Sequence, residues 1–244
     1  MPENHRFALG SVLAAKTVFS SRTNGAVFAF PPLLFGILWH FDSFGTASGF
    51  LLLLFPYVFL FLSRDMMKSD IESGALENTL LIGGVFRSVL WVRFLTVFGI
   101  GLAYVFLLHV LCAAAGMISG HPFPWSPLQV AGGLAAGAYF AGWGGFLGFF
   151  LKSGSNVLSV LLLQAATGIV LLMSLGRHVE FFSMFHDGVF PDAGSLLKFL
   201  AFLAVFPNVL VRNNLAPYIP FVAALSAAAW ILVRIASSRA EMTK

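Results

Sequence analysis

The chain alternates long apolar runs with short polar breaks, and the runs set the architecture. Approximate runs cover residues 25–41, 46–63, 88–119, 128–151, 156–176 and 216–235. A bilayer crossing takes about 20 apolar residues, so the pattern predicts an all-α integral membrane protein with six transmembrane helices. The third run, 32 residues long, exceeds that requirement and is expected to start or end in the interface. Residues 1–22 behave differently. Arg6, Lys16 and Arg22 fall among Phe7, Leu9, Val12, Leu13 and Phe19 at helix-like spacings, which predicts an amphipathic helix lying on the membrane surface. The recurring basic residues interrupt any signal-peptide core and argue against a cleaved leader.

A seventh apolar stretch, 196–211, contains Lys198 and Pro207 and is too short and too broken for a full span. It is expected to be interfacial or re-entrant, within an outer segment covering 177–215. Charge placement supports six spans. With the N-terminus inside, the inner segments hold Arg6, Lys16, Arg22, Arg64, Lys68, Arg87, Arg93, Lys152, Arg234, Arg239 and Lys244, and the outer ones only Arg177, Lys198 and Arg212. Eleven against three obeys the positive-inside rule. Both termini are therefore expected on the cytoplasmic side of a cell inner or plasma membrane.

Composition narrows the function. Of 244 residues, 59% are apolar and 10% charged, against about 25% charged in soluble domains. The whole chain, 1–244, reads as one membrane domain without space for a nucleotide-binding, protease or DNA-binding domain. A net charge of +4 is explained by inner loops, and no nucleic-acid partner is expected. The single cysteine, Cys112, lies inside an apolar run and founds no disulfide or cysteine-based zinc site.

The connections differ in kind. Residues 121–127 hold three prolines, which favours a rigid extended turn with Trp125 near the headgroups. The 64–87 connection instead concentrates charge: Asp65, Asp70, Glu72 and Glu77 put four of the ten acidic residues into 13 positions. Ser69 or Asp70 can cap a helix whose early acids suit its positive end, and Gly83-Gly84 can end it. About three turns of helix would lie outside the bilayer. Asp70 and Glu77 fall on one side of it and Leu76 and Leu80 on another, as in a docking element for a second protein.

Here the chain resembles the type-2 ABC exporter permeases. The features that carry the resemblance are an Arg64-Asp65 pair closing the second span, then acid-x-acid-x-Gly-small-Leu-Glu, a few apolar residues and a basic residue opening the third span. In that family this connection is the coupling helix, seated in a groove of a separate ATPase. The resemblance assigns ATPase docking to Asp70, Glu72, Gly74, Leu76, Glu77 and Leu80, and Arg93 stands where many members have a Gly-Lys pair. Two departures are visible: Ile82-Gly83 replaces the common Thr-Pro, and Val92 replaces the glycine before the basic position. The resemblance further implies a short outer-side helical hairpin between spans five and six, here 181–211. It also implies a second permease copy as a homodimer and an ATPase partner chain that binds the ATP. No cofactor and no catalytic residue are then expected in this chain.

The remaining polar residues are few. His40, His121, His178 and His186 fall at outer-side connections, with Asp42, Glu180, Asp187 and Asp192 near them in sequence. Their spacing fits no helical ligand pair, so no metal site is assigned. They are nevertheless the only support for one rival reading, a haem- or metal-centre maturation subunit. Within the spans stand His109 and Cys112, three apart, and Tyr57, Tyr104, Tyr139, Gln164 and Thr167. Carboxylates and lysines are absent from the middle of the spans, which argues against a proton-coupled carrier built on a buried carboxylate relay; a stand-alone secondary carrier or channel is the other rival. Gly132, Gly133, Gly137, Gly142, Gly144, Gly145 and Gly148 line the fourth span at spacings that permit close helix contact, within the bundle or with a second copy.

Overall fold

The computed structural model describes residues 11–12, 15–16, 18–19, 22–64, 86–151, 154–173, 187–190 and 192–242, which form helices and short connections. The helices are α1 (Arg22–Phe41), α2 (Phe44–Leu62), α3 (Phe86–Ser119), α4 (Pro127–Leu147), α5 (Ser155–Met173), α6 (Ala193–Val205) and α7 (Ile219–Met242). Two 3₁₀ turns, Pro207–Val211 and Asn213–Tyr218, join α6 to α7. Among the described residues, six helical stretches are long and apolar enough to cross a membrane, the last running Asn213–Ala236. The chain is a multi-pass membrane protein.

Local chemistry sets the helix ends. Ser43 caps α2 by accepting from the Thr46 amide at 3.1 Å, so Asp42 and Ser43 alone reverse the chain. Ser126 and Gln129 form a reciprocal capping box at α4, with Pro127 in the first turn, where its missing N–H is no loss. Gly120, at φ +73°, ends α3. The amides of Gly120 and His121 then bond back to the carbonyls of Met117 and Gly116, a Schellman closure that a left-handed glycine permits. α3 itself is 34 residues long, and Trp91–Ser119 within it is long and apolar enough to cross a membrane. α1 carries Pro31-Pro32 in its interior. Pro32 cannot bond to the carbonyl of Phe28 four residues back, and Tyr104 of α3 donates its hydroxyl to that oxygen at 2.5 Å.

Helix α4 is the centre of the bundle. Its glycines let other elements press onto its backbone. A Cβ built on Gly132 would stand 2.1 Å from the Leu210 carbonyl oxygen, one on Gly144 2.0 Å from Ser63 Oγ, and one on Gly145 2.0 Å from the Phe94 ring. Gly137 receives the Phe59 ring and Gly142 the Trp230 indole. The glycine row therefore serves contacts inside this chain, with α2, α3, α7 and the turn at 207–211. About half of the α2 and α4 spans is buried (56% and 50%), against 11% of α1 and 17% of α5.

The segment between spans five and six descends into the bundle and climbs out again. We call the end with the 42–43 and 120–126 connections the upper end. α6 begins there, capped by Asp192 on the Ser195 amide at 2.8 Å. Its last carbonyls lie far deeper. Tyr139, twelve residues down α4 and so about 18 Å from its start, donates its hydroxyl to the Ala204 carbonyl. Gln164, in the middle turn of α5, donates to the Val205 carbonyl at 2.7 Å. Pro207 then disfavours helix at Phe206, which leaves the α region (φ −118°, ψ 61°). The chain returns along α4 past Gly132, and Asn213 Oδ1 accepts from Ser126 Oγ back at the upper end. Within the expected 181–211 hairpin, the described residues hold one α-helix, Ala193–Val205, and one 3₁₀ turn, Pro207–Val211. Residues 174–186 lie outside the described residues.

Candidate functional site

The proposed docking residues Asp70, Glu72, Gly74, Leu76, Glu77 and Leu80 lie outside the described residues. The structure does show what holds the start of their connection. Ser63 closes α2, its hydroxyl bonded to the Leu60 carbonyl at 2.7 Å, and its Oγ fills the gap left by Gly144. Asn156, fully buried at the start of α5, donates its side-chain amide to the Gly144 carbonyl at 2.8 Å and to the Ser63 carbonyl at 3.5 Å. Its Oδ1 accepts from the Val157 amide at 2.9 Å. One buried amide therefore ties the residue that caps the end of α2 to the end of α4 and the start of α5. Arg64 runs past Gly154, whose φ of +80° turns the chain into α5. The 65–85 connection departs from a fixed point.

A cavity of about 450 Å³ opens between α1, α2 and α5, within the range of small-ligand sites. Ala26, Phe30 and Pro31 form one wall, Leu54, Tyr57 and Phe61 a second, and Leu161 a third. Among the described residues Tyr57 is the only lining residue with a polar side chain, and its hydroxyl already donates to Gln164 Oε1 at 2.8 Å. The wall consequently suits apolar groups. The cavity borders the two helices that are least buried, α1 and α5.

The Gln164 amide has both ends in use. Its Oε1 accepts from Tyr57 and its Nε2 donates to the Val205 carbonyl. Because a carbonyl cannot donate, this orientation of the amide is the only one that satisfies both partners. Sequence reasoning singled out Tyr57, Tyr139 and Gln164 as polar residues within spans. It had no signal for their joining the end of α6.

His109 Nδ1 donates to the Val105 carbonyl of its own helix at 2.9 Å. The ring is enclosed by Trp125 (centroids 4.3 Å apart) and Phe55 (5.1 Å), and its buried Nε2 has no hydrogen-bond partner among the described residues. Trp125 lies in the 120–126 connection at the upper end. It turns inward, is 6% exposed, and donates its indole N–H to the Ser48 carbonyl at 3.0 Å. The three prolines around it fix the loop while the aromatic cluster Phe55, His109 and Phe123 draws the ring down. Of the four histidines considered for metal, His121 stacks on Phe44 and His40 packs on Phe41, while His178 and His186 lie outside the described residues. Among the described residues no group of three or more His, Cys, Asp or Glu could hold a metal ion. At α6, hydrogen bonds from the Ser195 hydroxyl and amide hold the Asp192 carboxyl below its ordinary value, with Lys198 adding a smaller push in the same direction.

Comparison with family models, curated proteins and solved structures gave no match.

Proposed function

We propose that this chain is the membrane subunit of an ATP-driven exporter of the type-2 ABC class, paired with a second copy and driven by two copies of a separate ATPase. The observation that carries the reading is the Asp70 to Glu77 pattern, acid-x-acid-x-Gly-small-Leu-Glu, placed in the connection between the second and third of six apolar helices. Three features support it. The connection leaves α2 directly after the Ser63–Gly144–Asn156 knot, so a push on it passes to α4 and α5 as well as to α2. The six candidate spans hold no lysine or carboxylate that could run an ion-coupled cycle, which leaves the energy source to a partner. The weakly buried α1 and α5 border an apolar cavity, so they can move, or meet a second copy, without breaking the core.

In this reading both termini face the cytoplasm, 1–22 is an interfacial helix, and the 64–87 connection holds the coupling helix. The segment 177–215 enters the bundle from the outer side. ATP-driven closure of the ATPase pair displaces the docking residues, and rigid-body motion of the spans opens a path past the cavity. The chain does no covalent chemistry of its own.

The test is co-purification from native membranes. The tagged chain is expected to bring down an ATPase with Walker motifs, and replacing Leu76 and Glu77 together by alanine should lower that yield at least about tenfold, the loss of a docking hot spot. Undiminished recovery of the ATPase by the double variant overturns the docking assignment.

A further inference from the structure

We infer that Gln164 is a relay that reports the filling of the α1–α2–α5 cavity to the tip of the re-entrant helix α6. Four observations carry this. Tyr57 forms part of the cavity wall, so whatever enters presses on its ring. Behind that ring stands Phe140, stacked at 5.3 Å, fully buried on α4 and unable to give way. The displacement therefore passes to the Tyr57 hydroxyl and its 2.8 Å bond to Gln164. Gln164, 5% exposed, has no water to replace a lost partner, and its other end carries the 2.7 Å bond to Val205, one of the two tip carbonyls that other helices satisfy.

An α-helix leaves its last carbonyls without partners from its own chain, and inside a membrane each must find one. The tip of α6 is consequently only as firm as the side chains it borrows. Tyr139 is held on the glycine-packed α4, whereas Gln164 lies on the loosely packed α5 beside the cavity. Of the two latches, the Gln164 latch is the one a cavity occupant can loosen. The relay is a contiguous chain of three groups, wall to amide to helix end, and the two-state element it biases is the last turn of α6. In an exporter it would tie the presence of cargo to the opening of the re-entrant segment. That consequence rests on the permease reading, whereas the relay itself does not.

The experiment uses the full chain in lipid nanodiscs with no ATPase present, so its outcome is independent of the docking test. The cavity is filled from two walls separately, by Leu161→Trp and by Ala26→Trp, and amide hydrogen exchange is followed along α6. Each variant is expected to speed exchange at Ala204 to Phe206 about fivefold, the loss of roughly one hydrogen bond, with the first turn from Ser195 unchanged. Gln164→Met, which keeps the length and removes both bonds, should give the same rise without filling the cavity. Adding Leu161→Trp to Gln164→Met should then raise exchange no further. Unchanged exchange in both filling variants overturns the relay. So does a further fivefold rise when filling is added to Gln164→Met, because the coupling would then bypass Gln164.

Discussion

Helices α1 and α4 both carry glycines in their interiors, and the same residue does opposite things in them. On α1, a Cβ built at Gly25 or Gly36 meets nothing within 4 Å. On α4, Cβ atoms at Gly132, Gly137, Gly144 and Gly145 would all collide with neighbours. A glycine row is thus a contact surface only where another backbone or a locked side chain comes to it. The difference also divides the bundle. α2, α4, α7 and the 207–211 turn share interlocking contacts, while α1 and α5 lie against that core with few of their residues buried.

The largest effect expected from this division is at Gly132. Its neighbour is the Leu210 carbonyl, a backbone atom that cannot rotate aside. Gly132→Ala should cost about 3 kcal/mol or prevent folding, because overpacking against backbone forces the whole turn to shift. Gly145→Ala should cost less, since the facing group is the Phe94 ring. Gly36→Ala should change stability by less than about 1 kcal/mol, with the sign favouring alanine in a helix. Thermal unfolding of the purified variants in detergent ranks them. Equal stability of Gly132→Ala and Gly36→Ala would break the contrast.

Next in size is Asn156, where a single buried amide joins core and periphery by linking α5 to α2 and α4. Asn156→Leu keeps the volume and leaves the Gly144 carbonyl without its 2.8 Å donor. A loss of about 1–2 kcal/mol is expected, again read by thermal unfolding. Asn156→Asp should be no better, because its carboxylate cannot donate to either carbonyl. Wild-type stability in Asn156→Leu would mean that α5 is held by apolar packing alone.

The division between local and borrowed contacts also explains what could be read from the chain. Six spans followed from apolar run length, whereas the turns at Ser43, Gly120, Ser126 and Asp192 rest on residues that satisfy helix ends within a few positions and that run length does not single out. α1 starts three residues before the expected 25 and α4 stops at Leu147 rather than 151, as fits ends set by caps more than by hydropathy. The descent of α6 was only half legible. Lys198 and Pro207 show that 196–211 is no full span, but the carbonyls at its tip depend on Tyr139 and Gln164, 65 and 41 residues away. The packing of Trp125 on Phe55 and His109 was not legible, because these rings lie 70 and 16 residues away in sequence. The cavity left no mark at all, since Ala26, Leu54 and Leu161 are ordinary residues of apolar helices.

The smallest effect sharpens the same contrast within one helix. α6 is capped at its start by its own Asp192 and Ser195, and at its tip by other helices. The start should therefore respond to pH and the tip should not. Asp192 is exposed, and hydrogen bonds from the Ser195 hydroxyl and amide hold its native pKa below the ordinary carboxyl value. A carboxyl so shifted contributes stability that is present above the ordinary value and disappears as the pH falls through the lowered native one. Amide exchange at Ser195, corrected for its intrinsic pH dependence, should thus lose protection only in acid, while protection at Phe206 stays constant. Asp192→Asn keeps an acceptor for the Ser195 amide without the titrating charge, so it should retain partial protection with no acid transition. An acid transition at Ser195 that survives in Asp192→Asn would assign the pH response to another group and leave the start of α6 as dependent on its surroundings as the tip.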